Sequence, residues 1–553
     1  MSEQGYNLLD IHFSRFLADR SRLAGDDKDR FQQLVRTLTT SHEAGHSCLP
    51  VSKADTRLLE ALHLVSAGGQ TPLVLNNNRL YLHRYFRYET RLAEQISAMA
   101  AVSLPMKVKD TLLDSLFEAF EPGTDWQKEA AKVALKKALT IICGGPGTGK
   151  TTTVVKILAL LLLAADQTLD VALAAPTGKA AMRLSESIGN SLERMELPEK
   201  IKAAIPTQAK TLHRLLGFRR NSPQFRHNRQ SPMGWDVVVV DEASMVDLAM
   251  MSKLVDALKP GARLLLLGDK DQLASVESGA VLGDLIKSLP DNTVELQKTY
   301  RFDDNIKQLA ECINTGDSEG AWQLLLDRNA NNVTVLPSDL IGYIGKQYAE
   351  FMEEVYQNHE PDVRAIFAAF NSFQVLCGVH YGNRGVEGIN RRVESSLARR
   401  GFDCRSDSWY PGRPVLITRN DYSLDLFNGD IGICLPNRNE GSVKVWFERS
   451  DGGLRSYSPY RLPRCETVFA MTIHKSQGSE FDEVVVVLPD EDNRILSREL
   501  IYTAITRAKK SVKLVTERQV FEQALSRNIM RFSGLADQLK EQSLKINESK
   551  RAG

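Results

Sequence analysis

The sequence predicts an α/β protein: two parallel-sheet domains in series, preceded by a helical segment, with one small β-rich insertion in the second. Three observations predict it. Short apolar runs recur from residue 139 onward ("LTIIC", "VALAA", "VVVVD", "RLLLLGD", then "FQVLCGV", "EVVVVLP" and "VKLVTE"), and runs rich in Val, Ile and Leu without polar alternation belong to strands covered on both faces. Helical stretches alternate with these runs, as βαβ crossovers require. Between about residues 409 and 466 the rhythm gives way to short β-like pieces separated by Asn, Gly and Asp turns, which reads as a small barrel.

In chain order, residues 1–122 show apolar positions three and four apart in "DDKDRFQQLVRTLTT" and "RYFRYETRLAEQISAMAA", and are predicted helical. "AFEPGTDW" is a linker. Residues 123–330 form the first α/β domain, with a small insertion at about 200–235. No acidic residue lies in that insertion, whereas Lys200, Lys202, Lys210, Arg214, Arg219, Arg220, Arg226 and Arg229 do. Residues 331–525 form the second α/β domain, and the polar tail 526–553 is predicted to fray.

At 553 residues the chain exceeds what one core can organise. Lys and Arg total 70 against 69 acids, so overall charge neither favours nor excludes nucleic acid, and any basic surface must be local. The seven cysteines are scattered without a C-x-x-C pair, which excludes a zinc ribbon and predicts reduced thiols. The longest apolar run, "ILALLLLAA", is too short to cross a bilayer, and the first thirty residues lack a signal-peptide pattern. A cytoplasmic protein with no membrane partner is expected.

One motif points elsewhere. "SHEAGHSCLPV" at residues 41–51 contains His42, Glu43 and His46 in the zinc-protease spacing H-E-x-x-H. Such a helix needs uninterrupted turns, yet Gly45 lies inside the pentapeptide and Pro50 follows closely, so the pattern is not read as a zinc site.

The strongest chemistry lies in "IICGGPGTGKTTTVVKILALLL". Gly144, Gly145, Pro146, Gly147, Thr148, Gly149, Lys150, Thr151 and Thr152 follow an apolar strand and open a helix. Glycines let backbone N–H groups wrap a phosphate, Lys150 neutralises its charge, and the Thr151 hydroxyl suits magnesium. Downstream, "WDVVVVDEASMVD" ends a buried strand in Asp241 and Glu242. Two adjacent carboxylates there call for a cation or a chemical role, with Asp241 suited to hold magnesium and Glu242 to activate the attacking water. "LLLLGDKDQL" places Asp269 and Gln272 at another strand end, with Gln272 suited to sensing the γ-phosphate. Arg301 in "LQKTYRF" and Arg507 in "LIYTAITRAKKS" are suited to stabilise charge on the transferring phosphoryl group. No second carboxylate cluster suggests a two-metal nuclease site in this chain.

The ordered set "DWQKEA", "GGPGTGKTT", "APTGKAA", "VVDEAS", "GDKDQLASVESGAVLGDL", "KTYR", "AMTIHKSQGSEFD" and "YTAITRAKK" resembles the motifs of superfamily 1 DNA helicases. More narrowly, "DEASMVDLAMMSKLVDAL", "FNGDIGI" and "HKSQGSEFDEVVVVLP" resemble the RecD family. The resemblance implies two tandem RecA-like P-loop domains, a partner-docking amino-terminal domain and an SH3-like inserted barrel. It implies ATP and Mg2+, with Gln127 recognising adenine. Thr177, Gly178, Lys179, His213, Thr472, His474, Lys475 and Gln477 would contact DNA. It further implies a 5′-to-3′ motor subunit of a helicase-nuclease, acting on single-stranded and double-stranded DNA ends beside RecB-like and RecC-like subunits. A stand-alone helicase of this type is the alternative, although only about 125 residues precede "DWQKEA" where such enzymes usually carry more. A catalytically silent docking subunit is a second alternative, disfavoured by intact Lys150, Asp241, Glu242 and Arg507.

Overall fold

The computed structural model describes residues 7–552 except 107, 118–124, 220–221, 276, 299–303, 337–338, 358–361, 405–407, 422, 438–440 and 450–451. Two parallel sheets form its centre. The first has six strands in the spatial order Thr293–Glu295, Leu139–Cys143, Arg263–Gly268, Val237–Val240, Val171–Ala175 and Lys210–Thr211, all parallel. The second has five, in the order Val333–Val335, Ala508–Val515, Phe481–Val487, Phe373–Cys377 and Ala470–Thr472, again all parallel. The central strands are buried along their length, which is why their sequences carry no polar alternation. Parallel strands place all carboxyl ends on one edge, and the loops leaving that edge are where an α/β sheet receives ligands.

Residues 414–467 form a separate five-stranded antiparallel sheet, ordered Leu454–Tyr457, Ser442–Glu448, Ile431–Asn437, Pro414–Ile417, Cys465–Thr467, around a small core that includes Val415, Ile417, Val445 and Phe447. Although threaded through the second lobe, it also touches the first. Arg214 forms an ion pair with Asp425, and its guanidinium lies 4.7 Å from the Phe427 ring centroid.

Three sequence expectations need correction. The amino-terminal region is not wholly helical: Leu49–Pro50, Arg79–Leu82, Leu73–Asn76 and Val65–Ser66 make a four-stranded sheet beside helices Leu8–Arg20, Gly25–Glu43 and Lys53–Glu60. Nor does it extend to residue 122, because helix His83–Ala101 buries Leu92, Ala93 and Ile96 in the core beneath the first lobe's sheet. The tail does not fray. Helix Leu535–Ala552 packs Leu535 and Leu539, one turn apart, into that same core, and two apolar residues on one face anchor an otherwise polar helix.

Candidate ATP site and nucleic-acid interface

Strand Leu139–Cys143 delivers residues 144–149 to the start of helix Lys150–Ala164. Gly147 and Gly149 adopt φ of 78° and 81°, a region that costs an L-residue roughly 1–2 kcal/mol. At Gly144 a Cβ would stand 2.9 Å from the Leu296 carbonyl oxygen and 2.8 Å from Thr148 Oγ1, so the loop is glycine for room as well as for conformation. Thr148 Oγ1 donates to the Gly145 carbonyl at 2.9 Å and fixes the curl. Lys150 Nζ lies over the loop, 2.7 Å from Gly144 O and 3.0 Å from Gly145 O. Gln127, in the first turn of helix Trp126–Lys136, reaches the Thr148 carbonyl with Nε2 at 3.5 Å.

Beside this loop, strand Val237–Val240 ends at Asp241 and Glu242. Glu242 has φ 52°, a sparsely populated conformation for a glutamate, and lines the cleft beside the loop. Asp241 Oδ1 accepts from the Glu242 backbone N–H at 2.9 Å. Burial, then the neighbouring Glu242 charge, push the Asp241 carboxyl up, while Lys150 pulls it down. A half-buried carboxylate with a like charge beside it favours a bound cation. Thr151 lines the same cleft, so a hydroxyl and a carboxylate, both hard oxygen donors, fit Mg2+.

The opposite wall comes from the second lobe. Arg507 lines one cleft of about 910 Å3 together with Pro146, Gly147, Gly149, Lys150, Thr151, Thr152, Asp241, Glu242 and Gln272. It is 2% exposed. Its Nε donates to Thr503 O at 3.0 Å and Nη1 to Ser479 O at 3.3 Å. Nη2 has no hydrogen-bond partner among the described residues. Arg301 lies outside the described residues.

The lobes also meet through Tyr502 and Thr503, to which sequence reasoning gave no role. Gln272 Nε2 donates to Asp269 Oδ2 at 3.0 Å, and Tyr502 Oη reaches the same oxygen at 3.1 Å. Leu273 N donates to Thr503 Oγ1 at 2.9 Å. Both residues sit inside "YTAITRAKK", where the arginine alone carries a chemical signal that a sequence can show. Burial raises the Asp269 carboxyl while Lys150 and the hydrogen bonds of this cluster lower it.

The residues expected to touch DNA are distributed unevenly. Thr177 caps helix Gly178–Arg194 by accepting from Ala180 N at 3.2 Å, and Thr472 caps the turn Ile473–Ser476. His213 packs edge-on to Phe225 with ring centroids 5.5 Å apart. His474 is pushed down by burial and by Arg531. Lys475 Nζ pairs with Glu466 at 2.7 Å. Two side chains differ from expectation. Burial pushes Lys179 down to about 7, and its Nζ, without a hydrogen-bond partner among the described residues, lies 5.4 Å from the Phe481 ring centroid. Gln477 turns inward and donates from Nε2 to Leu273 O at 3.0 Å, next to Gln272. Gly178 and Lys179 do line a separate cavity of about 260 Å3 that also receives Asp430 and Arg455 from the inserted sheet.

The H-E-x-x-H segment is not a zinc helix. Helix Gly25–Glu43 ends before Gly45, whose φ is 86°. Each imidazole is engaged in its own local contacts: His42 Nδ1 bonds the His46 carbonyl at 2.8 Å and its ring stacks on Tyr85, whereas His46 Nδ1 accepts from Phe532 N at 2.9 Å.

A glycine-lined phosphate loop, an acidic strand end and an arginine from a second parallel-sheet lobe, all on one cleft, define a two-lobed nucleoside-triphosphate hydrolase of the helicase class. Comparison with known proteins agrees. Residues 127–278 match an AAA domain and residues 467–515 a UvrD-like helicase C-terminal domain. The RecBCD enzyme subunit RecD of Mycolicibacterium smegmatis is 40% identical over 488 residues, covering 85% of this chain and 84% of that protein. Its counterpart from Haemophilus influenzae is 36% identical over 531 residues, covering 85% and 81%. The ATP-dependent RecD2 DNA helicase of Deinococcus radiodurans is 31% identical over 511 residues, covering 84% of this chain and 62% of that one. The chain belongs to the RecD family of RecBCD enzyme subunits.

Proposed function

We propose that the chain is the ATP-driven 5′-to-3′ motor subunit of a RecBCD-type helicase-nuclease, working on double-strand DNA ends in recombinational repair beside RecB-like and RecC-like subunits. The inserted sheet is then the SH3-like barrel of this motor, and the nuclease site lies on a partner. One observation supports the reading above the rest: Lys150, Asp241 and Glu242 from one lobe and Arg507 from the other line a single cleft.

In this reading residues 144–149 and Lys150 bind the triphosphate, and Gln127 meets the base. Thr151 and Asp241 would hold Mg2+, which would supply positive charge to offset that of the triphosphate. Glu242 takes a proton from the attacking water. Arg507 stabilises charge on the phosphoryl group as the lobes close, acting most strongly where water is excluded. Gln272, bonded to Asp269 and adjacent to the Leu273–Gln477 and Leu273–Thr503 contacts, passes the state of the γ-phosphate to the second lobe. Thr177, Gly178, Thr472, His474 and Lys475 then grip and release the strand backbone in turn, without reading bases.

The test is DNA-stimulated ATP hydrolysis and unwinding of substrates with 5′ or 3′ overhangs, with and without partner subunits. Lys150→Gln is expected to abolish turnover, and only the 5′ overhang is expected to support unwinding by this motor. Undiminished turnover in that variant refutes the site assignment. Unwinding from the 3′ overhang alone refutes the polarity.

A further inference from the structure

The H-E-x-x-H turn, the carboxy-terminal tail and the loop that carries Gln272 converge on one side chain. Residues 527–534 run as a strap from helix Arg518–Ser526 of the second lobe to helix Leu535–Ala552 on the first. From this strap Arg531 Nη1 donates to Glu277 O at 2.8 Å and Gly279 O at 3.0 Å, while Nη2 donates to Ser275 O. One guanidinium thus closes three carbonyls of a single loop, the loop that follows strand Arg263–Gly268 and includes Asp269 and Gln272. Hydrogen bonds from a cation are roughly twice as strong as neutral ones.

The amino-terminal turn grips the same loop from its other side. Gly279 N donates to Gly45 O at 2.9 Å, and Ser278 Oγ to His42 O at 3.2 Å. Gly45 is needed twice over. Its φ is 86°, and a Cβ there would stand 2.8 Å from Arg531 Cζ, so only glycine lets the guanidinium lie against this turn. His46 completes the joint by accepting from Phe532 N and stacking on the Phe532 ring, centroids 5.0 Å apart.

We propose that Arg531 is a positioning residue for the Gln272 loop. With the Gly45 turn it forms the coupling through which the nucleotide state read by Gln272 reaches the amino-terminal module. The inference rests on the motor reading above. A loop held only by its own backbone opens locally at little cost. Clamped at Ser275, Glu277 and Gly279, it carries a displacement of Gln272 onward to the Gly45 turn. The H-E-x-x-H pattern is then the seat of this clamp.

The experiment compares the full-length chain with Arg531→Ala, Arg531→Lys and Leu539→Ala, the last loosening the tail helix without touching the loop. Arg531→Ala is expected to lower DNA-stimulated kcat about 10- to 100-fold, as small misplacements of catalytic groups do. KM for ATP and affinity for a non-hydrolysable ATP analogue stay within about twofold, the signature of an interaction used only in turnover. Arg531→Lys, whose single ammonium cannot span all three carbonyls, falls between, and Leu539→Ala keeps its kcat. By hydrogen exchange, residues 275–279 lose protection in Arg531→Ala, and the ATP analogue alters exchange of residues 41–47 in the parent chain only. Parental kcat in Arg531→Ala, an equal loss in Leu539→Ala, or unchanged exchange at 275–279 overturns the proposal. If the parent itself shows no DNA-stimulated turnover the motor reading fails, while the exchange measurements still decide the clamp.

Discussion

In the first lobe, strand Leu139–Cys143 leads through residues 144–149 into helix Lys150–Ala164; in the second, strand Phe373–Cys377 leads through residues 378–385 into helix Val386–Arg399. The two units share a shape and differ at the helix start. The first opens on Lys150 and Thr151 with no acid in its first turn, leaving its N–H groups and positive dipole end for an anion. The second opens on Val386 with Glu387 in its first turn, and that carboxylate lies 3.8 Å from His380 Nδ1. Its helix start already has its own negative charge. In the proposed motor, labour is divided accordingly: one lobe grips phosphate, and the other contributes the buried Arg507 that senses it.

The heaviest test of that division is Arg507→Ala. Removing the second lobe's contribution is expected to lower kcat about 10^3-fold or more, the scale set by arginine fingers, with nucleotide affinity nearly unchanged in a fluorescent-nucleotide titration. Parental turnover would mean that the first lobe works alone. Glu242→Gln follows, expected to cost about 10^3-fold in steady-state hydrolysis while ATP still binds. The same titration should saturate at one nucleotide per chain, and a second equivalent would break the comparison outright.

A third test concerns the bracing of the gripping lobe by the tail. Glu89 on helix His83–Ala101 accepts from Ser47 Oγ, Ser533 Oγ, Gly534 N and Gln538 Nε2, and burial pushes its carboxyl up from 4.5 to about 7. The folded value exceeds the unfolded one, so the stabilisation is fully present below about 4.5 and disappears as pH rises through about 7. By linkage its ceiling is about 3 kcal/mol. Thermal melts should show stability falling between pH 5 and pH 8, and Glu89→Gln should flatten that slope. The smallest effect belongs to Gly149→Ala, whose φ of 81° predicts a loss of about 1 kcal/mol, measured by denaturant titration.

The legible parts of the molecule were those where chemistry forces residue type and spacing together. The phosphate loop, the strand ending in Asp241 and Glu242, and the uniformly apolar strands each declare themselves within a dozen residues. Arg507 is different: its neighbours give it no local signature, and only the order of motifs singled it out. Tyr502, Thr503 and the inward turn of Gln477 depend on how the lobes meet, which no local pattern encodes. The tail reads as polar and fraying because only two leucines, Leu535 and Leu539, dock it. In the amino-terminal sheet, strands Leu73–Asn76 and Arg79–Leu82 are joined by Asn77 and Asn78, both at positive φ. That is a hairpin turn a sequence can announce, and the helical periodicity around it masked the signal.

The clasp between Arg214 and Asp425 joins the first lobe to a sheet that belongs to the chain of the second. Both side chains are more than a third exposed, so water and dissolved ions compete for each of them, and such a pair contributes only about 0–1 kcal/mol, less as salt is added. The inserted sheet is therefore tethered to the first lobe by a contact that loosens as the electrolyte grows more concentrated.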